Sequence, residues 1–224
     1  MITLCHAAKG GSGTTIVACL RAIESVGPVL LVDLEGDVPG MLGISDPERP
    51  GVVDWIASNA PIAHLDDLLI EATPNALLLP AAGVDSSGTV RSAIAGSPAE
   101  RWDELFDWLT EWGHDTGGAI VIDAGTTALP ATFVEQCPSR WLITRACFLS
   151  LRRAIRLPVP PTGVIVVDEP GRTLTHRDIE TSVGAPVIAS IPWDMRVARS
   201  VDSGLLGARR LPRTIHRRLR GVAA

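Results

Sequence analysis

Lysine is almost absent from this chain: nineteen arginines stand against a single lysine, Lys9. A coding background that favours arginine wherever a diffuse positive charge suffices gives one lysine no reason to survive except a local one, a site that needs a compact ammonium on a thin stem. Lys9 lies in the run Ala8-Lys9-Gly10-Gly11-Ser12-Gly13-Thr14-Thr15, and a glycine-rich loop built to hold phosphates is such a site. Long apolar stretches are missing too. No run reaches the roughly 18 residues of a spanning helix, and Met1 leads into an apolar strand without a basic n-region, so neither an export signal nor a membrane span is expected. Cys5, Cys19, Cys137 and Cys147 show no CxxC and no Cys/His pairing at metal spacing, and Cys5 and Cys19 fall in stretches that read as buried. Reduced thiols in a cytoplasmic protein are the expectation.

What is present is enough for a core. The chain has 224 residues, 46% of them hydrophobic and 20% charged, which suits one α/β domain spanning residues 1–224 and excludes a disordered chain. The formal net charge of -5 argues against a general polyanion binder, yet Arg209, Arg210, Arg213, Arg217, Arg218 and Arg220 crowd the end. Ile215, Leu219 and Val222 follow at helical spacing after Pro212, so the spacing predicts a basic amphipathic helix over about 208–220. Packing on the body, with the guanidinium groups left in water, is the simplest role for it. Contact with anionic lipid or DNA is the alternative, and would add a peripheral position at membrane or nucleoid.

Along the chain, Ile2 to Ala7 reads as a buried strand, followed by the glycine loop and a helix from Thr15 to Ile23. After Gly27-Pro28, Val29 to Asp33 is a continuous apolar run ending in an acid, as expected of a parallel strand covered on both faces. Leu34 to Pro50 reads as a loop and Val52 to Ala57 as a short helix, and Ala76 to Pro80 as a strand. Trp102, Leu105, Phe106, Leu109 and Trp112 repeat at helical spacing, which predicts a helix over Ala99 to Trp112 with those residues in the core. Ala119 to Asp123 repeats the Asp-ended strand, and Trp141 to Thr144 and Val164 to Asp168 add two more. Strands alternating with helices give a mostly parallel β-sheet with helices on both faces.

A strand that ends in a glycine loop and opens a helix aims backbone N–H groups and the positive helix end at one point, where an anion belongs. The ordinary Walker A pattern puts a lysine directly before the Mg²⁺-binding hydroxyl of Thr15; here that position is Thr14. The arrangement Lys9-Gly10-Gly11-Ser12-Gly13-Thr14-Thr15 resembles the deviant Walker A loop of the ParA/MinD family, whose extra signature lysine sits at the position of Lys9. Three further segments resemble that family: Val29 to Gly43 with Asp33, Glu35 and Asp37; Ala119 to Gly125 as a Walker B strand with Asp123; and Ala189 to Asp194, with Pro192 and Asp194, near the adenine. Glu35 stands where family members usually carry Asp. Thr144 to Arg153 is similar to the strand-to-helix turn near the nucleotide. Among family members the chain is similar to divergent ones, such as the TadZ/CpaE proteins that localise pilus and secretion machinery and the septum-site-determining homologues, and the motifs leave that choice open.

The resemblance implies a P-loop NTPase fold that binds ATP or ADP with Mg²⁺ between two protomers. It implies phosphates held by Gly10 to Thr15, metal held by Thr15 with Asp33 and Asp123, and Lys9 and Glu35 in catalytic positions, Lys9 acting across a homodimer. It also implies a protein partner in a partitioning, division or pilus and secretion localisation machine. Without the loop lysine, hydrolysis is expected to be weak or absent, because lysine stabilises charge on the transferring phosphoryl group. A nucleotide-free scaffold of the same fold and a small-molecule ATP-dependent ligase are the competing readings. His6 reads as a packed histidine, His64, His114, His176 and His216 show no partner spacing, and Asp66-Asp67 and Asp103-Glu104 read as solvated helix faces.

Overall fold

The structure is a computed structural model that describes residues 1–45, 49–81 and 93–207. The basic C-terminal segment over 208–220 lies outside the described residues. In chain order the elements are β1 (Ile2–His6), α1 (Thr14–Ile23), β2 (Val29–Asp33), α2 (Val38–Leu42), α3 (Val52–Ile56), α4 (His64–Asp67), β3 (Ile70–Thr73) and β4 (Ala76–Leu79). They continue with α5 (Ala99–Thr116), β5 (Ala119–Asp123), α6 (Ala131–Gln136), β6 (Ser139–Arg145), α7 (Phe148–Ala154), β7 (Gly163–Asp168), α8 (His176–Val183), β8 (Val187–Pro192) and α9 (Met195–Asp202).

One eight-stranded sheet runs in the order β3-β4-β2-β5-β1-β6-β7-β8. All its pairings are parallel except the edge pair β3/β4. The apolar runs sit in the middle of the sheet, where both faces must be covered. Cys5, Leu31, Val121, Ile143 and Ile165 pack with Val17, Leu20 and Val197 of α1 and α9. Their neighbours Leu4, Leu30 and Ile120 pack on the other face against Trp102, Leu105 and Leu109 of α5, and Leu142, Val164 and Val166 against α7 and α8. This alternation is what a strand with two buried faces requires. Among the described residues no helix is long and apolar enough to cross a membrane, and the four cysteines are free thiols.

Three local differences from the sequence reading have physical causes. Leu34 to Pro50 is not all loop: α2 forms over Val38–Leu42, with Pro39 in its first turn and Gly43 ending it at φ 72°. β3 is an antiparallel edge strand without a long apolar run, because an edge strand has one side open and its burial is partial. α5 runs on to Thr116, with its last turn polar and Gly117 as a left-handed stop. His176 also has a partner, Asp168, at 3.1 Å, a pairing that depends on the folded β7–α8 turn.

One buried cation fastens the short helices to α5. Arg101 stacks on the Trp55 ring at 3.5 Å from its centroid, and its Nη2 donates to the carbonyls of Trp55 and Ala60, each at 2.9 Å. Its Nη1 pairs with Glu104. Replacing it by Met keeps length and apolar stem but leaves both carbonyls without their donor and removes the stacking. Arg101→Met is expected to lower the unfolding free energy by about 2–4 kcal/mol, read from urea denaturation at constant slope.

Candidate nucleotide-binding site

The loops that follow β1, β2, β5 and β6 meet at the carboxyl end of the sheet, on either side of the point where the chain switches direction across β1. The glycine loop closes on itself: Ser12 Oγ donates to the Lys9 carbonyl at 2.7 Å, and Gly13, at φ 93°, is the left-handed residue from which α1 starts. No side chain caps α1, and no acid sits in its first turn. The first N–H groups of the helix have no intrahelical acceptor, and Val17 N–H is the one that bonds back to the Gly13 carbonyl, at 3.0 Å. The loop therefore presents donors and a positive dipole end, as an anion site needs.

Behind the loop, Asp33 and Asp123 are register partners at the ends of β2 and β5, both 0% exposed. Asp33 Oδ1 accepts the N–H groups of Glu35 and Gly36 at 3.0 and 2.7 Å, and Oδ2 accepts that of Val38 at 3.1 Å. Asp123 Oδ1 accepts the Gly125 N–H at 3.1 Å, whereas its Oδ2 is buried with no hydrogen-bond partner. Burial, and then the charge of Asp33, push the Asp123 carboxyl up, while the nearby Thr15 hydroxyl and the Gly125 N–H pull it down. Burial also raises Asp33, against the pull of its three N–H donors.

This environment fits a divalent cation. An orphaned carboxylate oxygen and a second acid facing it are stabilised by an added positive charge, and the Thr15 hydroxyl lies beside them. Asp33 spends its oxygens on the backbone turn, so its direct part is to shape the segment after β2. Among the described residues no cluster of three or more His, Cys, Asp or Glu side chains could hold a metal.

Glu35 is held where the loops cross. Its Oε2 accepts from Thr127 Oγ1 at 2.5 Å and its Oε1 from Thr126 Oγ1 at 3.3 Å. Gly125, at φ 49°, leaves the room for it: a Cβ there would come within 2.5 Å of the Glu35 Cδ. Lys9, half-buried, points its Nζ at the neighbouring Gly10 carbonyl, 3.4 Å away. A cavity of about 590 Å³ is lined by Lys9 to Ile16 together with Glu35, Asp37, Gly125, Thr126 and Arg145. An adjoining, more apolar cavity of about 520 Å³ shares Ser12, Gly13, Ile16 and Arg145 with it and adds Val167, Ile191, Pro192, Trp193 and Asp194. Asp194 caps α9 by accepting the Arg196 N–H at 2.8 Å.

Solved structures with the same architecture are numerous. The Pyrococcus furiosus cell division ATPase MinD aligns with a TM-score of 0.75 at 18% identity, covering 99% of this chain and 97% of its own. A ParA family ATPase from Chlorobium tepidum aligns at 0.72 and 20% identity, over 97% and 96%. The chain has the ParA/MinD fold. The septum-site-determining protein MinD of Pyrococcus horikoshii, solved with Mg-ADP, shares it at a TM-score of 0.70 and 19% identity, over 98% and 95%. No protein-family model matches the chain, and its sequence matches no curated protein.

Within the ParA/MinD fold the structure brings Lys9, Gly10 to Thr15 and Glu35 to one cavity, and Pro192 and Asp194 to the next, with Asp33 and Asp123 buried behind Thr15. Sequence reasoning missed Thr126 and Thr127, which seat Glu35, and the particular part of Arg145, which borders both cavities. The paired threonines after Gly125 were the available signal for the first; an arginine directly after the apolar run Trp141 to Ile143 and Thr144 was the signal for the second.

His6, at the end of β1, is the packed histidine that the sequence suggests. Burial first, and then the Arg140 guanidinium, push its pKa down to about 4. A histidine held neutral in the fold gives stability that is complete above about pH 6.5 and is lost as pH falls toward the folded value. The loss is expected to be about 2–3 kcal/mol between pH 7 and pH 4. Urea unfolding of the wild type and His6→Gln across that range checks this: the variant should lack that part of the acid sensitivity.

Proposed function

We propose that this protein binds an adenine nucleotide with Mg²⁺ and works as an ATP-dependent dimer that positions a larger assembly. The observation that carries this reading is the pair of adjoining cavities: one is lined by Lys9 to Ile16, with Asp123 buried behind Thr15, and the other is mostly apolar. In this reading Gly10 to Thr15 surround the phosphates, and Thr15 with Asp123 would hold the metal, which would supply charge neutralisation. Asp33 fixes the turn that carries Glu35, and Glu35 orients water. Ser12, Pro192 and Asp194 border the base and ribose.

Lys9 has no ion pair among the described residues, and its Nζ makes a long contact to the Gly10 carbonyl at 3.4 Å, which suits a lysine whose charge is left for a partner protomer's nucleotide. Thr14, buried at the first turn of α1, cannot supply the charge of the usual loop lysine. Losing one charge-assisted phosphate contact costs about 1.5–3 kcal/mol, or roughly 10- to 150-fold in affinity. Turnover falls further, since that charge acts on the transition state. Similarity to division and partition ATPases supports a positioning role. Our reading places that role in the cytoplasm, at a membrane or at the nucleoid, with a protein partner of a division, partition or pilus machine.

Light scattering during titration with Mg-ATP and with Mg-ADP tests the reading. Mass is expected to double with ATP alone, and Lys9→Ala is expected to abolish the doubling. Thr14→Lys should tighten ATP binding by about 10-fold or more and raise turnover. Absence of binding to either nucleotide at millimolar concentration would replace this reading with a nucleotide-free scaffold that docks a protein partner.

A further inference from the structure

We infer that Arg145 supplies the phosphate-binding charge that Thr14 cannot. This rests on the nucleotide reading above and goes beyond it, because nothing in the loop motif points to a residue at the end of β6. The two cavities meet at Arg145, which lines both. Of the described residues lining the phosphate cavity, Lys9 and Arg145 are the cations, against Glu35 and Asp37. In the adjoining apolar cavity Arg145 is the one cation among them. A nucleotide that spans both would have its first phosphates at this junction.

Arg145 is placed by its strand. β6 lies directly beside β1, so its end stands next to the glycine loop, and the guanidinium is anchored from behind. Its Nη1 pairs with Glu169, and the other Glu169 oxygen pairs with Arg172. One carboxylate shared by two guanidinium groups leaves a net positive charge at the cavity rim, so the anchor does not neutralise the field. The Glu169 carboxyl is held below its usual range, first by the hydrogen bond from Arg172, so Glu169 stays ionised without Arg145. The pairing with Glu169 uses part of a five-donor fork: Arg145 Nε is buried without a partner, and the side chain keeps 33% of its surface exposed. A planar guanidinium fixed at one corner and open at another suits bidentate contact with a phosphate.

Isothermal titration of Mg-ATP, inorganic tripolyphosphate and adenosine into wild type, Arg145→Gln, Arg145→Lys and Glu169→Gln tests the assignment. Arg145→Gln is expected to weaken Mg-ATP and tripolyphosphate by about ten-fold or more while leaving adenosine within about two-fold. Arg145→Lys should restore part of that loss. Glu169→Gln, which frees the guanidinium, should bind tripolyphosphate as well as the wild type or better. Should Arg145→Gln fail to fold, the lysine variant and Glu169→Gln still decide the matter, since equal losses for adenosine and Mg-ATP in both would mark Arg145 as a strut of the loops. Wild-type affinity in Arg145→Gln, or an equal loss for adenosine and ATP, would overturn the assignment alone. A wild type that binds none of the phosphates would overturn it together with the nucleotide reading.

Discussion

Asp33 and Asp123 lie side by side at the ends of β2 and β5 without solvent around either, and the shape of the carboxyl edge follows from how that repulsion is managed. Asp33 is compensated by three backbone N–H groups, which bend the chain after β2 into the turn that leads to α2. Asp123 has one such donor and an oxygen left over. Two like charges in a low-dielectric interior are tolerated where a cation or a proton can join them. The asymmetry leaves Asp123 with the oxygen that an added cation or proton would satisfy.

From that pair the loops inherit their positions. The turn made by Asp33 aims Glu35 across to Thr126 and Thr127, and the left-handed Gly125 clears the path. The segments after β2 and after β5 are thereby tied through one carboxylate. Both segments border the cavity of the glycine loop. A ligand that draws on Glu35 would touch a carboxylate held by both loops.

Charge at the site is distributed in an unusual way. The loop offers backbone donors and a helix dipole but no lysine at Thr14. The formal positive charges are Lys9 at the start of the loop and Arg145 at the end of the neighbouring strand β6. Backbone N–H groups are rigid and near-neutral, so they orient phosphates well. Fixed cations at the rim set affinity and its dependence on charge number.

Much of this architecture was legible in the residues themselves. Continuous apolar runs ending in Asp33 and Asp123 have few alternatives to buried parallel strands, and the spacing of Trp102, Leu105 and Leu109 imposes a helix whose face must be covered. The glycine loop between a strand and a helix announced an anion site, because its chemistry is local backbone geometry. The partial burial of edge strand β3 and the helix at Val38–Leu42 were not legible, since a half-covered strand and a five-residue helix carry little periodicity. Nor were Arg101 stacked on Trp55, Glu35 on Thr126 and Thr127, or Arg145 between two cavities. Those contacts join residues dozens of positions apart, and a sequence pattern records what one segment prefers, not which segment lies beside it. The sequence by itself determined the strands, the main helices and the glycine loop between β1 and α1, through short-range sterics and hydrophobic spacing. Tertiary structure alone decided which acid keeps a free oxygen and which arginine reaches the site, because both depend on neighbours that only the order of strands in the sheet brings together.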